Sequence, residues 1–360
     1  MGSGSDRRPG PKIAIVRLTS LGDVVHTLPL AAALKRELPD SWILWIVEEH
    51  ERVLVEQNPA VDQVIVGPSR RWRREAWNPL NHPRILREMA ALRRQLRALR
   101  LDLAIDVQGL PKSSLFTCLT GSGVRIGFGF RSVRDPFAAF FTNRHVTPPT
   151  SAAHIVDQNM ALLGPLGIAP SPVSFPLPTF GEASRRIDDF LRDGGLQPKD
   201  RLVVLLPGTR GRAKQWPAEG YLEVAQRLAL VGGVRLALVG SPAERDLLQG
   251  IAAPLERAAP LLFTGPIDEL VELLRRARLV IGNDTGPLHI AAALGRPTIG
   301  LFGPTRAERT GPYGPEARSL QSRTKRMRDL PAQAVVSAAL SSLEAPGGVD
   351  GLGMPPVATR

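Results

Sequence analysis

Leu279-Val-Ile-Gly-Asn-Asp-Thr-Gly-Pro-Leu-His-Ile-Ala-Ala-Ala-Leu-Gly295 is the stretch whose reading decides the fold of this chain. Leu279 to Ile281 read as a short buried strand, a polar glycine-rich turn follows, and the apolar run from about Pro287 to Leu294 reads as a helix. Proline at the first helical position and Gly295 just past the last one punctuate that helix. Passing from an apolar strand through a tight turn straight into a helix is the repeating unit of a parallel α/β sheet. The amides around Thr285 and Gly286, with the positive end of the helix dipole behind them, form a site for an anion such as a diphosphate. Asp284 and Thr285 are also ordinary capping residues, so the turn alone leaves capping and phosphate binding both open.

The same rhythm extends to either side. Strands are predicted at Ile13 to Val16, Ile43 to Val47, Val64 to Val66 and Leu103 to Val107, with a helical pattern over Val24 to Leu38. The stretch Leu166 to Phe180 loses periodicity and carries Pro170, Pro172, Pro176 and Pro178, the composition of a linker. Strands then recur at Leu202 to Leu206, Leu236 to Val239, Leu279 to Ile281 and Thr298 to Phe302, alternating with helices near 218–231, 243–252 and 267–277. The expected organisation is an α/β protein of two doubly wound, Rossmann-like domains, 12–165 and 181–330, around a linker at 166–180. A helix over 331–343 and a glycine- and proline-rich tail over 344–360, expected to be disordered, complete the chain. Sheets of this kind bind ligands at the carboxyl ends of their strands, which here would face a central cleft.

Length and composition agree with that reading. A chain of 360 residues with 43% apolar content suits two domains of ordinary size with well-buried cores. No run of about 18 uncharged apolar residues occurs to span a membrane, and Met1 to Pro11 lack the apolar centre of a signal peptide. The single cysteine, Cys118, is expected to pack as a small apolar residue in a reducing cytoplasm. The net charge of +12 is built mostly from arginine, only six of the 46 basic residues being lysine. Arginine binds carboxylates and phosphates bidentately, so an anionic partner is expected. Ten arginines lie between residues 70 and 100, where the only acids are Glu75 and Glu88. Within that segment 84–100 reads as an amphipathic helix with a solvated basic face, whereas Arg70-Arg-Trp-Arg-Arg74 is expected in a loop, either solvated or binding an anion.

The dinucleotide fingerprint and the Gly-x-x-x-x-Gly-Lys-Ser/Thr phosphate loop are both missing, which removes the main support for dehydrogenase and nucleoside triphosphatase readings. No Asp-x-Asp metal clamp and no metal-ligand spacing of the six histidines occurs, so no metal or other cofactor is expected. A diphosphate must then be neutralised by helix ends and cations. Leu206-Pro-Gly-Thr-Arg-Gly-Arg-Ala-Lys-Gln-Trp-Pro217 follows the first strand of the second half, where Thr209 and backbone amides can approach an anion and Lys214 can reach a phosphate. Glu244, after the next strand, either caps a helix or accepts from a ribose. In the first half Thr19-Ser-Leu-Gly-Asp-Val-Val-His-Thr-Leu-Pro29 follows the first strand, Gly22 permitting a tight turn and Asp23 beginning the helix. Asp23 is either a helix cap or a general base at the mouth of the cleft, and His26 one turn on is read as a packing residue.

With Ser20-Leu-Gly-Asp-Val-Val-His-Thr-Leu-Pro29, Lys214-Gln-Trp-Pro217 and Asp284-Thr-Gly-Pro-Leu-His289, the chain resembles the lipopolysaccharide heptosyltransferases of glycosyltransferase family 9, most closely the members that add the first heptose to the inner core. Val47-Glu-Glu49, Arg70 to Arg74, Asp106-Val-Gln-Gly-Leu-Pro-Lys-Ser113 and Arg134-Asp-Pro136 extend the resemblance over roughly 12–343. It implies a GT-B architecture, an ADP-heptose donor held by the C-terminal domain, a Kdo-lipid A type acceptor held by the N-terminal one, and inversion by direct displacement. It implies Asp23 as the base and Lys214 as a catalytic cation, with Thr209, Lys214, Glu244, Asp284, Thr285, Gly286 and His289 around the donor. Ser20, Gly22, Arg70, Arg71, Arg73, Arg74, Gln108, Lys112 and Arg134 are implied around the acceptor. It places the protein in the cytoplasm, peripheral on the inner face of the inner membrane. The loop Thr209-Arg-Gly-Arg-Ala213 departs from the family pattern of two threonines with acidic residues.

Two other functions are compatible with the residues. A nucleotide-sugar epimerase or hydrolase of the same architecture, or a family member with a different donor or acceptor, would share the donor site. A nucleic-acid-binding protein would share the charge, but no nucleic-acid module is recognisable and no nucleic-acid partner is expected.

Overall fold

The computed structural model describes residues 10–345, in two compact units, the first ending at Pro178 and the second beginning at Thr179. The tail expected beyond 343 is helical to Glu344, and 346–360 lie outside the described residues. The first unit holds β1 (Lys12–Val16), β2 (Trp42–Val47), β3 (Gln63–Val66), β4 (Leu103–Asp106), β5 (Val124–Phe128) and β6 (Arg144–Val146). They form one sheet in the order β3-β2-β1-β4-β5-β6, with every pairing parallel. The second holds β7 (Arg201–Leu206), β8 (Val234–Val239), β9 (Leu261–Phe263), β10 (Leu279–Asn283), β11 (Thr298–Phe302) and β12 (Ala317–Gln321). Its order is β12-β11-β10-β7-β8-β9, again all parallel.

Counted within its own unit, each sheet runs 3-2-1-4-5-6, the doubly wound order. Its direction of winding reverses between the first and fourth strands, so the β1/β4 and β7/β10 junctions are where loops diverge and leave room for a ligand. The central strands are continuously apolar because helices cover both faces. Ile13 to Val16 and Val203 to Leu205 are fully buried. In the first unit Trp72, Leu92, Leu96 and Phe116 pack on Ala14, Val16, Leu44 and Ile46. In the second, Trp216, Tyr221, Val224 and Leu228 share a core with β7, β10 and β11. Val335, Ala339 and Leu343 of the last helix, Ala332–Glu344, belong to that same core. Each fully buried Val or Leu contributes roughly 1.5–3 kcal/mol, so this helix is structural.

The structure adds β5, β6, β9 and β12, which apolar patterning did not reveal. β6 and β12 are edges, which need only partial cover and so carry no apolar run, and the edge strand β9 is apolar but only three residues long. β5 is interrupted by Arg125 and Gly127. Two local expectations are corrected. The helix expected over Val24 to Leu38 is two helices, Leu21–Val25 and Leu28–Glu37, broken at His26 and Thr27. Arg70 to Arg74 lie in a helix, Ser69–Glu75, rather than a loop. No helix among the described residues is long and apolar enough to cross a membrane.

Candidate functional site

The loops and helix starts at the β1/β4 junction carry Arg17, Thr19, Ser20, Asp23, Gln108 and Lys112. Asp23 does not begin its helix. Ser20 is the N-cap and Asp23 the third helical residue, its Oδ2 accepting from Ser20 N and Ser20 Oγ at 3.0 Å each. Gly22 lies inside the helix and is buried. The other carboxylate oxygen, Oδ1, is 2.6 Å from Arg17 Nη2. Arg17 is almost wholly buried, and its Nη1 donates to Val107 O at 2.8 Å. Burial pushes the Asp23 carboxyl up, but the Arg17 charge, the Ser20 hydrogen bonds and the field of Arg134 together hold it below the ordinary aspartate value. A carboxylate offers about four lone-pair sites. Three are taken by the partners named above, and 29% of the side chain is exposed.

β4 supplies the scaffold. Buried Asp106 accepts from Gln108 N and Gly109 N, both at 3.0 Å, and from Ser113 Oγ at 3.0 Å. Burial raises its carboxyl above the ordinary value despite those bonds. Gln108, expected at the acceptor, is itself buried and satisfied internally: its Oε1 accepts from Leu18 N at 3.0 Å and its Nε2 donates to Thr19 Oγ1 at 3.1 Å. It therefore shapes the Asp23 loop. Lys112 Nζ donates to Thr19 Oγ1 at 2.5 Å, and half-burial lowers its ammonium below the ordinary lysine value. Arg134 is exposed, on a loop tied back by Asp135 N donating to Gly109 O at 3.1 Å.

The arginine helix is divided by its partners. Glu48 caps it, accepting from Arg70 N at 2.7 Å and from Ser69 Oγ. Arg70 pairs with fully buried Glu51 at 2.7 Å, and Arg71 with Glu88 at 2.7 Å. Trp72 is no ligand platform, because it stacks on Phe116 at 5.7 Å and donates to Glu88 at 2.7 Å. Arg73 and Arg74 are exposed, and Arg73 lies close enough to depress Lys112.

The β7/β10 junction holds the second cluster. Gly282 lets the two strands approach, since a Cβ there would come within 2.6 Å of Leu206 Cβ. Buried Asn283 then bridges the loops, its Nδ2 donating to Pro207 O at 2.8 Å and its Oδ1 accepting from Trp216 N at 3.1 Å. This fixes the loop that carries Lys214, whose Nζ is 2.7 Å from Asp284 Oδ2. His289 Nε2 lies 3.3 Å from the other oxygen of Asp284. Burial would raise the Asp284 carboxyl, but His289 and Lys214 hold it at about 2. Thr285 is the N-cap of Gly286–Ala293, yet its side chain does not cap, and its buried Oγ1 has no hydrogen-bond partner. Thr209 is half-exposed beside Gly208. Glu244 Oε2 accepts from Ser241 N at 2.7 Å and Ser241 Oγ at 2.9 Å, a cap, while its carboxylate rests on Gly208, where a Cβ would come within 2.2 Å.

The structure thus brings Lys214, Asp284 and His289 into contact, with Thr285 and Gly286 next in the chain, and separately Ser20 and Asp23, with Lys112 bonded to neighbouring Thr19 and Arg134 acting on Asp23 only through its charge. Arg17 and Asn283 are site residues that sequence reading missed. The available signal was a lone polar residue directly at the end of each buried strand. Cys118, expected to pack, is exposed, whereas His26 is buried against His154 at 5.4 Å.

Two doubly wound units, one with a cation and a helix N-terminus at its switch point and the other with a carboxylate, define a glycosyltransferase of GT-B architecture. More particularly, the chain belongs to glycosyltransferase family 9 (heptosyltransferase), whose model matches residues 89–339. Lipopolysaccharide heptosyltransferase 1 of Pseudomonas aeruginosa is 34% identical over 308 residues, 84% of this chain and 81% of the relative. The Escherichia coli heptosyltransferase WaaC with ADP superposes with a TM-score of 0.76 at 28% identity, covering 92% of this chain and 99% of WaaC. The same enzyme with ADP-2-deoxy-2-fluoro heptose gives 0.73 at 29%, covering 92% and 99%. Asp23 and the arginine helix precede the segment that the family model matches.

Proposed function

We propose that this chain transfers L-glycero-D-manno-heptose from ADP-heptose to a Kdo-lipid A type acceptor in lipopolysaccharide inner-core synthesis, with inversion at the anomeric carbon. The observation that carries this reading is the complementary chemistry of the two switch points: an ionised carboxylate with one lone pair unused at β1/β4, and a lysine beside a helix N-terminus at β7/β10. The Escherichia coli relative has been solved with ADP and with ADP-2-deoxy-2-fluoro heptose, which supports the donor.

In this mechanism Asp23 takes the proton of the acceptor hydroxyl as its oxygen attacks the anomeric carbon, and the bond to the diphosphate breaks. Arg17 and Ser20 hold the carboxylate ionised and oriented, so no proton has to leave it first. Negative charge grows on the departing ADP, where Lys214 and the helix end at Thr285 and Gly286 stabilise it most in the transition state. Asp284 keeps Lys214 in place. Lys112, Arg73 and Arg134 supply the positive field for Kdo carboxylates or lipid A phosphates.

Product analysis by mass spectrometry, with ADP-heptose beside UDP-, GDP- and dTDP-sugars, with and without Kdo-lipid A, tests the reading. A heptosylated lipid formed only from ADP-heptose is expected. Conversion of a donor without acceptor would establish the epimerase or hydrolase alternative instead.

A further inference from the structure

Six of the nine large apolar side chains exposed among the described residues come from two short segments of the first unit: Trp77, Leu80 and Leu86, and Phe130, Phe137 and Phe140. The phenylalanines cover one another in part, at 45%, 56% and 70% exposure. Phe130 packs edge-on against Phe140 at 5.0 Å and His145 at 5.4 Å, and Phe137 against Phe141 at 5.3 Å. Trp77 and Leu80 have no such cover, being 89% and 86% exposed. They occupy the bend of a helical hairpin, between helix Ser69–Glu75 and helix His82–Ala98, with the single turn Pro79–Asn81 at its tip.

Charge around this tip is one-sided. The hairpin's two acids are used internally, Glu75 with Arg84 and Glu88 with Arg71. Arg73, Arg74, Arg87, Arg93 and Arg94 are exposed, and no carboxylate pairs with them among the described residues. An indole and a leucine presented on a bend, with the unpaired Arg73, Arg74 and Arg87 in the adjoining turns of its two helices and Arg93 and Arg94 further along the second, match the headgroup boundary of an anionic bilayer. The apolar pair enters the acyl boundary, the indole favours the interface, and the arginines reach lipid phosphates. A nucleic acid would satisfy the arginines but leave Leu80 in water.

We propose that the tip formed by Trp77 and Leu80 docks this unit onto an anionic lipid surface. The biological purpose rests on the lipid-linked acceptor proposed above, but docking itself requires neither donor nor acceptor. The tip continues the helix whose Arg70 is pinned to Glu51 and whose Arg73 stands near Lys112. Docking therefore presents the cations around Asp23 to the bilayer that carries the acceptor.

The test is flotation of the full chain with vesicles of phosphatidylethanolamine and phosphatidylglycerol, against vesicles of phosphatidylcholine, without substrates. Preferential binding to the anionic vesicles that weakens with salt is expected. Trp77→Ser with Leu80→Ser should lower the partition coefficient by roughly tenfold or more, as losing two large apolar groups implies. Arg87→Gln with Arg94→Gln should flatten the salt dependence, and acyl chains brominated near the headgroup should quench tryptophan fluorescence in wild type but less in the tip variant. Unchanged thermal unfolding of the variants excludes misfolding as the cause, since every altered side chain is exposed. Equal partitioning of wild type and tip variant overturns the proposal, as does binding lost only in Phe137→Ser with Phe140→Ser. Absence of heptose transfer would refute the functional reading and leave the vesicle result standing. Wild type that transfers heptose to a delipidated acceptor but floats with neither kind of vesicle would do the reverse.

Discussion

Arg17 Nη2 stands 2.6 Å from Asp23 Oδ1, joining a buried guanidinium at the end of β1 to a carboxylate two turns of chain later. The pair sets the protonation of Asp23. Burial favours the neutral acid, and Arg17 with Ser20 and Arg134 reverses that preference. A carboxylate held this way is a weaker base than an isolated one, yet it stays ionised to lower pH than an ordinary aspartate.

Asp23→Asn should lower kcat by ~10²-fold or more, the range of general-base catalysis, while the Kd for ADP, measured by calorimetry, stays within about threefold, a small fraction of that range. Arg17→Met removes the largest charge holding Asp23 down, so the Asp23 pKa rises and the acid limb of the kcat/KM profile moves to higher pH. A profile superposable on wild type would show that Arg17 only supports the strand end.

Asp284 makes acid stability a second test. Its folded value of about 2 lies below the ordinary 3.8, so its contribution is fully present above 3.8 and is lost as pH falls through about 2. The shift corresponds to about 2 kcal/mol. Urea unfolding should show wild type losing more stability than Asp284→Asn across that window. Parallel curves for the two proteins would mean that Lys214 and His289 do not hold the carboxylate in solution.

Thr285 separates stability from binding. Its hydroxyl is buried and unpartnered, a condition that costs roughly 1–3 kcal/mol. Thr285→Val should therefore be as stable as wild type or more so, and should bind ADP several-fold more weakly if the diphosphate is the missing partner. A stable valine variant with unaltered ADP affinity would remove Thr285 from the donor site.

Arg70 and Arg73 should behave differently although they are neighbours on one helix. Arg70→Gln leaves Glu51 buried without its partner and should cost on the order of 1–3 kcal/mol of stability. Arg73 has no such partner, so Arg73→Gln should change stability by less than about 0.5 kcal/mol. It should instead raise the acceptor KM and flatten its salt dependence, with the donor KM unchanged. A destabilised Arg73→Gln, or an acceptor KM that moves only in Arg70→Gln, would reverse the assignment.

Sequence by itself determined the alternation of buried strands and helices, because a strand covered on both faces must be apolar throughout, and that pattern is local. It also placed Asp23, Lys214 and Asp284 in the segments that directly follow strands, and Pro287 where a turn opens a helix. Edge strands such as β6 and β12 escaped it, since half-covered strands need no apolar run. Tertiary structure alone decided the partners. Arg17 reaches Val107 across 90 positions of sequence, Lys214 reaches Asp284 across 70, and Gln108 turns out to hold the Asp23 loop. The order 3-2-1-4-5-6 brings the loops after the first and fourth strands of each unit side by side. No local pattern encodes that adjacency, so the charge on Arg17 and the neutral amide of Asn283 acquire their roles only when the sheets are assembled.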